Sequence, residues 1–252
     1  MYATIGFKGS VLEKFKALKE AGFEGVEPMS HMNREEVMRA FQETGLKAAS
    51  VCCNTHWDKP LSDPDPAVRE AGLAGLKVAL QDAKQYGASS VLLVPGVVKG
   101  TVTYDECWQR SIAEIRKAIP VAEELGVKIA IEEVWNNFIT KPEQAAAFLD
   151  EINSPSVGWH FDIGNVLRYS PPEQWIPVLG KRILKLHIKE YSQTKKFDVQ
   201  FFEGDNNWPA IMQALDKVGY SGWGISEQPG GQTRDAASLK AFSERMDRVF
   251  AS

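Results

Sequence analysis

The feature that most constrains the fold of this chain is a repeated junction in which a helix ends at a glycine and a short apolar strand follows. Five glycines occupy this position: Gly22, Gly45, Gly87, Gly126 and Gly219. Glycine is favoured just past a helix because that position often requires φ > 0. Successive glycines lie 23, 42, 39 and 93 residues apart, and the last gap fits two units with one helix end unseen between them. Strands that alternate with helices at this spacing predict parallel β-α units.

Eight short apolar segments are predicted as strands. They are residues 2–7, 23–27, 47–53, 90–95, 128–133, 157–162, 183–189 and 223–227. Eight parallel strands that close on one another remove both sheet edges, so the pattern favours a (β/α)8 barrel, or TIM barrel, over an open doubly wound sheet. The length of 252 residues is typical of that fold. No linker-like stretch divides the sequence, and we expect one domain over residues 1–252.

Helix start signals agree with this order. Asp65 followed by Pro66 predicts an N-cap with proline at the first helical position. Thr103 with Glu106 predicts a capping box. We expect a last helix that opens at Arg234.

Composition excludes several classes of protein. Hydrophobic residues at 44% and charged residues at 25% are ordinary globular values. No run approaches the roughly 18 apolar residues that cross a bilayer, and no secretion signal is visible. A formal net charge of −4 without a basic cluster argues against nucleic-acid binding. Three cysteines, two of them adjacent, favour buried thiols in a reducing, cytoplasmic setting.

Polar side chains end four successive apolar strands. They are Glu132, Asp162, His187 and Glu227, separated by 30, 25 and 40 residues. Barrel chemistry gathers at the carboxyl ends of strands, so these ends should converge at one mouth. Each alone has an ordinary explanation, a loop carboxylate or a hydrogen-bonded core histidine; four together favour a site for one divalent ion, Mn²⁺, Mg²⁺ or Co²⁺. Glu133 alternates away from Glu132 and should face the helix layer or solvent.

Several motifs together resemble the sugar phosphate isomerase/epimerase family of the xylose isomerase-like barrel superfamily. They are Glu132-Glu133-Val134-Trp135-Asn136, Phe161-Asp162-Ile163-Gly164-Asn165, His187-Ile188-Lys189, and Gly204-Asp205 ahead of Trp208. The resemblance implies one divalent metal held by the four strand-end side chains. It also implies that Glu132 and Glu227 act as the acid/base pair of a ketose 3-epimerase or of a related aldose-ketose isomerase.

The implied chemistry is proton transfer beside a carbonyl group. A proton on carbon next to a ketone is only weakly acidic, and a divalent ion would stabilise the developing enediolate as a Lewis acid. Glu132 and Glu227 could reach opposite faces of the sugar, so that one removes a proton and the other returns one. Return to the same carbon gives an epimer, and return to its neighbour gives aldose-ketose isomerisation.

Other residues are candidates for binding the sugar. Lys189 follows His187 on the same strand face and could donate to a substrate oxygen, or could be a solvated lysine. His56 and Trp57 follow the third strand and could contact a sugar ring, or could be loop packing. Trp135 could line the barrel mouth, or could be a packing residue.

Two further sets of residues bear on the substrate. Asn165 stands where many epimerases of this superfamily carry a histidine, and an amide can bind substrate but cannot transfer a proton. Glu27 is expected to line the mouth. Gly230-Gly231 and the nearby Arg234 follow the last strand, where barrels often bind phosphate. Phosphorylated and free sugars therefore both stay open as substrates. Asp205 and Trp208 are expected to anchor the last loop and helix rather than to touch substrate.

Three other functions remain at this point. One is a sugar-binding barrel that keeps the metal without catalysis, and another is a dehydratase on the same scaffold. The third, an apurinic endonuclease, needs several more histidines than the four present. A homo-oligomer is possible, and the sequence does not identify the sugar or its phosphorylation.

Overall fold

The computed structural model describes residues 2–228 and 235–252. The helices in these ranges are α1 Val11–Glu20, α2 Arg34–Thr44, α3 Pro66–Tyr86, α4 Tyr104–Leu125, α5 Pro142–Ile152, α6 Ile163–Val166, α7 Pro172–Leu179, α8 Trp208–Val218 and α9 Ala236–Phe250, with short 3-10 helices at Tyr2–Thr4 and Gly180–Arg182. The strands are β1 Gly25–Val26, β2 Lys47–Ala48, β3 Val51–Cys52, β4 Ser90–Leu93, β5 Lys128–Glu132, β6 Val157–Asp162, β7 Ile183–Ile188 and β8 Gly224–Ser226.

The strands lie parallel and side by side in chain order. β3 to β8 make one continuous sheet, and β1 pairs with β2. A bridge between Met29 and Cys52 extends the β1–β2 pairing onto β3. β2 and β3 are therefore two parts of one barrel strand, the segment predicted as residues 47–53. The expected α/β barrel is confirmed.

Glycines end the helices as the repeated junction predicts. Four of them are left-handed caps, with φ of 68°, 77°, 66° and 72° at Gly45, Gly87, Gly126 and Gly219. The prediction for the long gap is wrong, because it holds two unseen helix ends rather than one. α5 ends at Asn153 with φ 55°, and α7 ends at Gly180 with φ 53°. Asparagine tolerates the left-handed region better than other side chains do, so the first of these ends carries no glycine.

The helix start signals are confirmed. The Asp65 carboxylate accepts from the Ala67 N–H at 2.9 Å, and Pro66 is the first residue of α3. Thr103 and Glu106 form the reciprocal bonds of a capping box at α4. The predicted helix start at Arg234 lies outside the described residues, and α9 begins at Ala236.

The predicted strand at residues 2–7 is wrong. Tyr2–Thr4 form a 3-10 helix, and the Tyr2 N–H donates to the Glu27 carbonyl at 2.9 Å. The aromatic ring of Tyr2 packs edge-on against Phe15 of α1, which holds this segment to the helix layer. The run contains only two large apolar residues before Gly6, too few to bury a strand on both faces. A cavity of about 750 Å³ is lined by residues of both β1 and β8.

Alternation along the strands divides the core into two parts. Outward residues such as Ile129, Ile131 and Trp159 are buried against helices. The interior carries polar side chains instead, among them His160 and His187. Cys52, Cys53 and Cys107 are buried free thiols, as expected. No helix in the described ranges combines the length and apolar character needed to cross a membrane.

We predict that Gly126→Ala lowers the free energy of unfolding by about 1 kcal/mol. A Cβ at this position meets nothing within 4 Å, so the cost comes from the left-handed backbone alone. The control is Asn153→Gly at the equivalent cap of α5, which should change stability by less than about 0.5 kcal/mol because both residues adopt this backbone conformation. Urea unfolding of both variants checks this, and equal stabilities for Gly126→Ala and the parent would contradict it.

Candidate metal centre at the barrel mouth

The four strand-end side chains converge. Glu132 ends β5 and Asp162 ends β6, while His187 lies in β7 and Glu227 directly follows β8. One ligand atom from each lies within 4.8 Å of the others. Asp162 and His187 are paired in register on neighbouring strands, so their side chains leave the same face of the sheet.

The imidazole of His187 lies at the centre of the group. Its Nδ1 is 2.8 Å from Glu132 Oε1, 3.4 Å from Glu227 Oε2 and 3.8 Å from Asp162 Oδ2. Its other nitrogen, Nε2, is 3.0 Å from Glu27 Oε2. Glu27 is fully buried and lies beside the Nε2 edge of the His187 imidazole, whereas Glu132 lies beside Nδ1. Glu27 therefore contacts the cluster through Nε2 of His187, and its expected place at the mouth stays a prediction.

Lys189 is part of the same cluster. Its Nζ donates to Glu227 Oε2 at 2.6 Å, to Asp162 Oδ2 at 3.1 Å and to Asn165 Oδ1 at 3.1 Å. The ammonium also lies 4.5 Å from the centre of the Phe197 ring. Lys189 is only 8% exposed, so the alternative of a solvated lysine is wrong.

Asn165 and Glu133 are joined to the cluster by hydrogen bonds to Asp162. The Asn165 N–H donates to Asp162 Oδ1 at 2.8 Å, and its side-chain Nδ2 donates to the Glu133 carbonyl at 3.1 Å. Glu133 accepts from the Asp162 N–H at 2.9 Å and from the indole of Trp159. Glu133 is 1% exposed. It faces the helix layer as expected, and its solvent alternative is wrong.

Burial and mutual charge shift the titration of the site. Burial raises the pKa of Glu132 to about 8 despite the nearby His187. Burial also opposes ionisation of Glu227, but the charges of Lys189 and His187 hold the pKa of Glu227 well below its usual range. Burial disfavours a charged His187, yet Glu227 and Glu132 outweigh it and hold the pKa of His187 well above its usual range.

The His56-Trp57 pair lies on a turn beyond β3. His56 is buried, and its Nδ1 accepts from the Val94 N–H at 3.3 Å. Burial lowers the pKa of His56 to about 4, against the opposing charges of Glu227 and Glu27. Trp57 packs edge-on against His56 and is 57% exposed. The pair thus gives a fixed neutral imidazole and a wide exposed ring.

Trp135 is engaged in packing. Its indole N–H donates to the Asn165 carbonyl at 2.9 Å, and its ring stacks on Phe197 at 4.7 Å. Arg168 lies over the same ring at 4.7 Å. Trp135 remains partly exposed. It therefore belongs to an aromatic group beside Lys189 that also includes Tyr191.

Glu190, which the sequence analysis did not single out, anchors the segment after β7. Its buried carboxylate accepts from the backbone of Phe202 and Asn206 and from the indole of Trp208. Asp205 accepts from the Gln193 N–H at 2.6 Å. These contacts agree with the expected anchoring roles of Asp205 and Trp208. Gly230-Gly231 and Arg234, the open phosphate site, lie outside the described residues.

The donor set fits a divalent ion. Three carboxylates and one imidazole are ligands that hard and borderline cations accept. Two basic side chains, Lys189 and His187, lie among these carboxylates. With the neighbouring Glu27, four carboxyl groups surround these two basic side chains, and this excess of acidic groups favours a bound cation.

Comparison with known proteins gives the family. Residues 15–246 match the family described as xylose isomerase-like TIM barrel. The chain belongs to the xylose isomerase-like TIM barrel family. The resemblance drawn from the strand-end motifs is confirmed.

Individual relatives agree. L-ribulose-5-phosphate 3-epimerase UlaE of Escherichia coli (strain K12) is 25% identical over 241 residues, 90% of this chain and 85% of that protein. The crystal structure of 3-keto-D-glucoside 4-epimerase YcjR from E. coli has a TM-score of 0.83 at 20% identity, covering 98% of this chain and 96% of that one. A structure of IOLI protein with a binding zinc atom has a TM-score of 0.83 at 18% identity, covering 99% and 96%. The epimerase name of the sequence relative bears out the expected enzyme class, an isomerase.

We predict that affinity for Mn²⁺ rises with pH between about pH 6 and about pH 8. Because the pKa of His187 is raised, the ring holds its proton near neutral pH, and a metal ligand must be neutral imidazole. Raising the pH removes that competing proton, so binding tightens. Calorimetric titration should show release of about one proton or more per ion.

Two variants provide the control for this titration. Asp162→Ala and His187→Ala should lose Mn²⁺ binding while circular dichroism shows an intact barrel, because strand ends affect function more than packing. Undiminished affinity in either variant, or a parent affinity that is flat across this pH range, would contradict the assignment.

Proposed function

We propose that this chain is an epimerase or isomerase that depends on one divalent ion, Mn²⁺, Mg²⁺ or Co²⁺. Its substrate would be a keto sugar or sugar phosphate. The observation that carries the proposal is the pair Glu132 and Glu227, which reach a shared charged centre from β5 and from the end of β8. The epimerase names of the sequence relatives support the reaction class.

The four strand-end residues would hold the ion. Once bound, it would supply Lewis-acid stabilisation for the negative charge of an enediolate. Each carboxylate has two oxygens, so Glu132 and Glu227 can each serve as ligand through one oxygen and exchange a proton through the other. Asp162 and His187 contribute position and charge without taking part in proton transfer.

Proton transfer would follow a two-base course. One glutamate takes the proton from the carbon beside the ketone, and the C–H electron pair becomes the enediolate double bond as the carbonyl oxygen gains charge. The other glutamate delivers a proton to the opposite face, and the carbonyl re-forms. β6 and β7 separate the strands of Glu132 and Glu227 in the sheet, which supports approach from two sides. Exchange with water restores both glutamates.

Lys189 would stabilise the same charge. A buried ammonium that already donates to Glu227 and Asp162 needs little reorganisation to donate to an enediolate oxygen. Burial opposes its charge, but Asp162 and Glu227 raise the pKa of Lys189, so it remains a cation through neutral pH. It is therefore an electrostatic group and not the base.

Aromatic and amide groups would bind the rest of the sugar. Trp57 offers an exposed ring for the apolar face of the substrate, next to the neutral imidazole of His56. Trp135 forms a second wall through its partly exposed ring. Asn165 positions Lys189 through its side-chain oxygen, and its amide cannot transfer a proton.

The relatives also support the substrate class. Ribulose 5-phosphate and a 3-keto-glucoside, in the names of two of them, both carry a ketone among hydroxyl groups. A polyhydroxy ketone is the chemistry that a two-glutamate site can invert. Whether the substrate carries a phosphate group is a question for the experiment below.

A panel of ketoses and ketose phosphates in D₂O, incubated with Mn²⁺-loaded protein and followed by NMR, tests the proposal. Deuterium that appears at C3 or C4 with inversion identifies an epimerase, and deuterium at C1 or C2 identifies an isomerase. Loss of a hydroxyl group would identify a dehydratase. Binding of a sugar without any exchange would overturn the catalytic proposal in favour of a binding barrel.

We predict that Glu132→Gln and Glu227→Gln each lower turnover by about 10²–10⁴-fold, because an amide cannot accept the proton. Metal and sugar affinity should fall much less, since glutamine keeps a carbonyl oxygen. From one epimer, the variant that keeps its first base should still exchange hydrogen into D₂O without inverting the carbon. From the other epimer, that variant should be silent. Turnover within a few-fold of the parent would show that the substituted glutamate is only a ligand.

We predict that Lys189→Met separates metal binding from catalysis. Without the competing ammonium, Asp162 and Glu227 should bind Mn²⁺ at least as tightly as in the parent. Turnover should fall about 10²–10³-fold, because a charge-stabilising donor is lost. Calorimetry and initial rates at saturating Mn²⁺ check this. Reduced metal affinity with unchanged turnover would contradict the assigned role.

A further inference from the structure

A second polar layer lies inside the barrel, next to the proposed ligands. Its members are Glu27, His160 and His187, which are all fully buried. One ligand atom from each lies within 4.8 Å of the other two. His187 belongs to both groups because its two ring nitrogens face opposite directions.

The contacts of His187 decide which nitrogen faces the mouth. Nδ1 is 2.8 Å from Glu132 Oε1, whereas Nε2 is 3.0 Å from Glu27 Oε2. An ionised carboxylate can only accept, so the bond to Glu27 requires a proton on Nε2. In the neutral ring, the lone pair then lies on Nδ1 and points toward the carboxylates at the mouth.

His160 restricts the plane of the same ring. The two imidazoles meet edge to face, with centroids 4.1 Å apart and planes at 65°. His160 Nδ1 is 4.0 Å from Glu27 Oε1. Within the described part of the chain, neither ring nitrogen of His160 nor Glu27 Oε1 has a hydrogen-bond partner. His160 therefore packs against His187 without competing for the Glu27 oxygen that His187 uses.

Burial of the Glu27 carboxylate lowers the stability of the fold. A buried carboxylate with one unpaired oxygen costs free energy that an apolar side chain would avoid. Its one hydrogen bond to a side chain, among the described residues, is to His187. The contact that Glu27 makes is therefore the best guide to its role.

We infer that Glu27 is a positioning residue, which holds His187 in the tautomer and orientation that leave Nδ1 for the divalent ion. Carboxylates bonded to the far nitrogen of a metal-ligating histidine fix its tautomer and raise its basicity, and their loss typically costs about 10–100-fold in metal affinity. The inference rests on the proposed metal site. It adds a residue whose side-chain hydrogen bond is to the far nitrogen of the proposed histidine ligand.

The tautomer is tested directly in the parent protein. Protein with ¹⁵N-labelled histidine, loaded with Zn²⁺ as a diamagnetic probe, should show the His187 proton on Nε2 and the metal on Nδ1. A proton on Nδ1 with the metal on Nε2 would overturn the inference. Failure to bind any of Zn²⁺, Mn²⁺ or Co²⁺ would instead contradict the proposed function.

Substitution tests the energetic role. Glu27→Gln should raise the dissociation constant for Co²⁺ about 10–100-fold and should alter the visible spectrum of the bound ion, because a neutral amide makes the ring less basic and can present either its N–H or its carbonyl oxygen to Nε2, so it does not enforce one tautomer. The matched control is Glu114→Gln. Glu114 is also buried, but it lies on α4 and pairs with Arg69 and Lys117. The control should leave both readouts unchanged.

The outcomes separate positioning from simple stability. A folded Glu27→Gln variant with the affinity and spectrum of the parent would overturn the inference. Equal losses in Glu27→Gln and Glu114→Gln would also overturn it, because they would reflect general destabilisation. If Glu27→Gln does not fold, the tautomer measured in the parent decides.

Discussion

The site depends on the hydrogen-bond register of four parallel strands. Asp162 and His187 are direct partners across β6 and β7, so their side chains leave the sheet side by side. Glu132 is the partner of His160, two residues before Asp162, whereas Glu227 lies two residues beyond Ile225, the partner of His187. This diagonal is the stagger that tilted barrel strands produce. A slip of one residue would turn any of these side chains to the helix layer.

The same register forces charged groups together in a space that excludes water. Buried charges are costly unless they are paired, and breaking such a pair leaves an uncompensated charge. The Lys189 ammonium pairs with both Asp162 and Glu227, and Glu133 is hydrogen-bonded to the backbone N–H of Asp162. In proteins generally, hydrophobic residues of similar volume are often at least as stabilising as a buried ion pair. The cluster is therefore better explained by chemistry than by stability, which is the usual reason for strongly shifted pKa values in a cleft.

How much of the fold and of the site can be predicted from the sequence depends on how far apart in the chain the interacting residues lie. Strand ends and glycine caps are local patterns, so the barrel and the convergence of the four strand-end side chains could be predicted from spacing. Asn153 was missed because its cap uses a different residue type for the same backbone conformation. The strand expected at residues 2–7 failed because tertiary contacts of Tyr2 outweigh a weak local preference. Glu27 contacts His187 across 160 positions, and no local pattern encodes that pairing.

Asn165 shows how a local change is absorbed by the surrounding site. An amide in place of an imidazole removes a group that could carry charge or transfer a proton. Here its oxygen accepts from Lys189 and its nitrogen donates to the Glu133 carbonyl, so both ends of the amide are used inside the protein. Because Lys189 is fixed by Asn165, Asp162 and Glu227 together, a cation is held at the mouth without a histidine at position 165. In the proposed mechanism, charge stabilisation would therefore belong to Lys189 and its orientation to Asn165, and proton transfer would be left to the two glutamates.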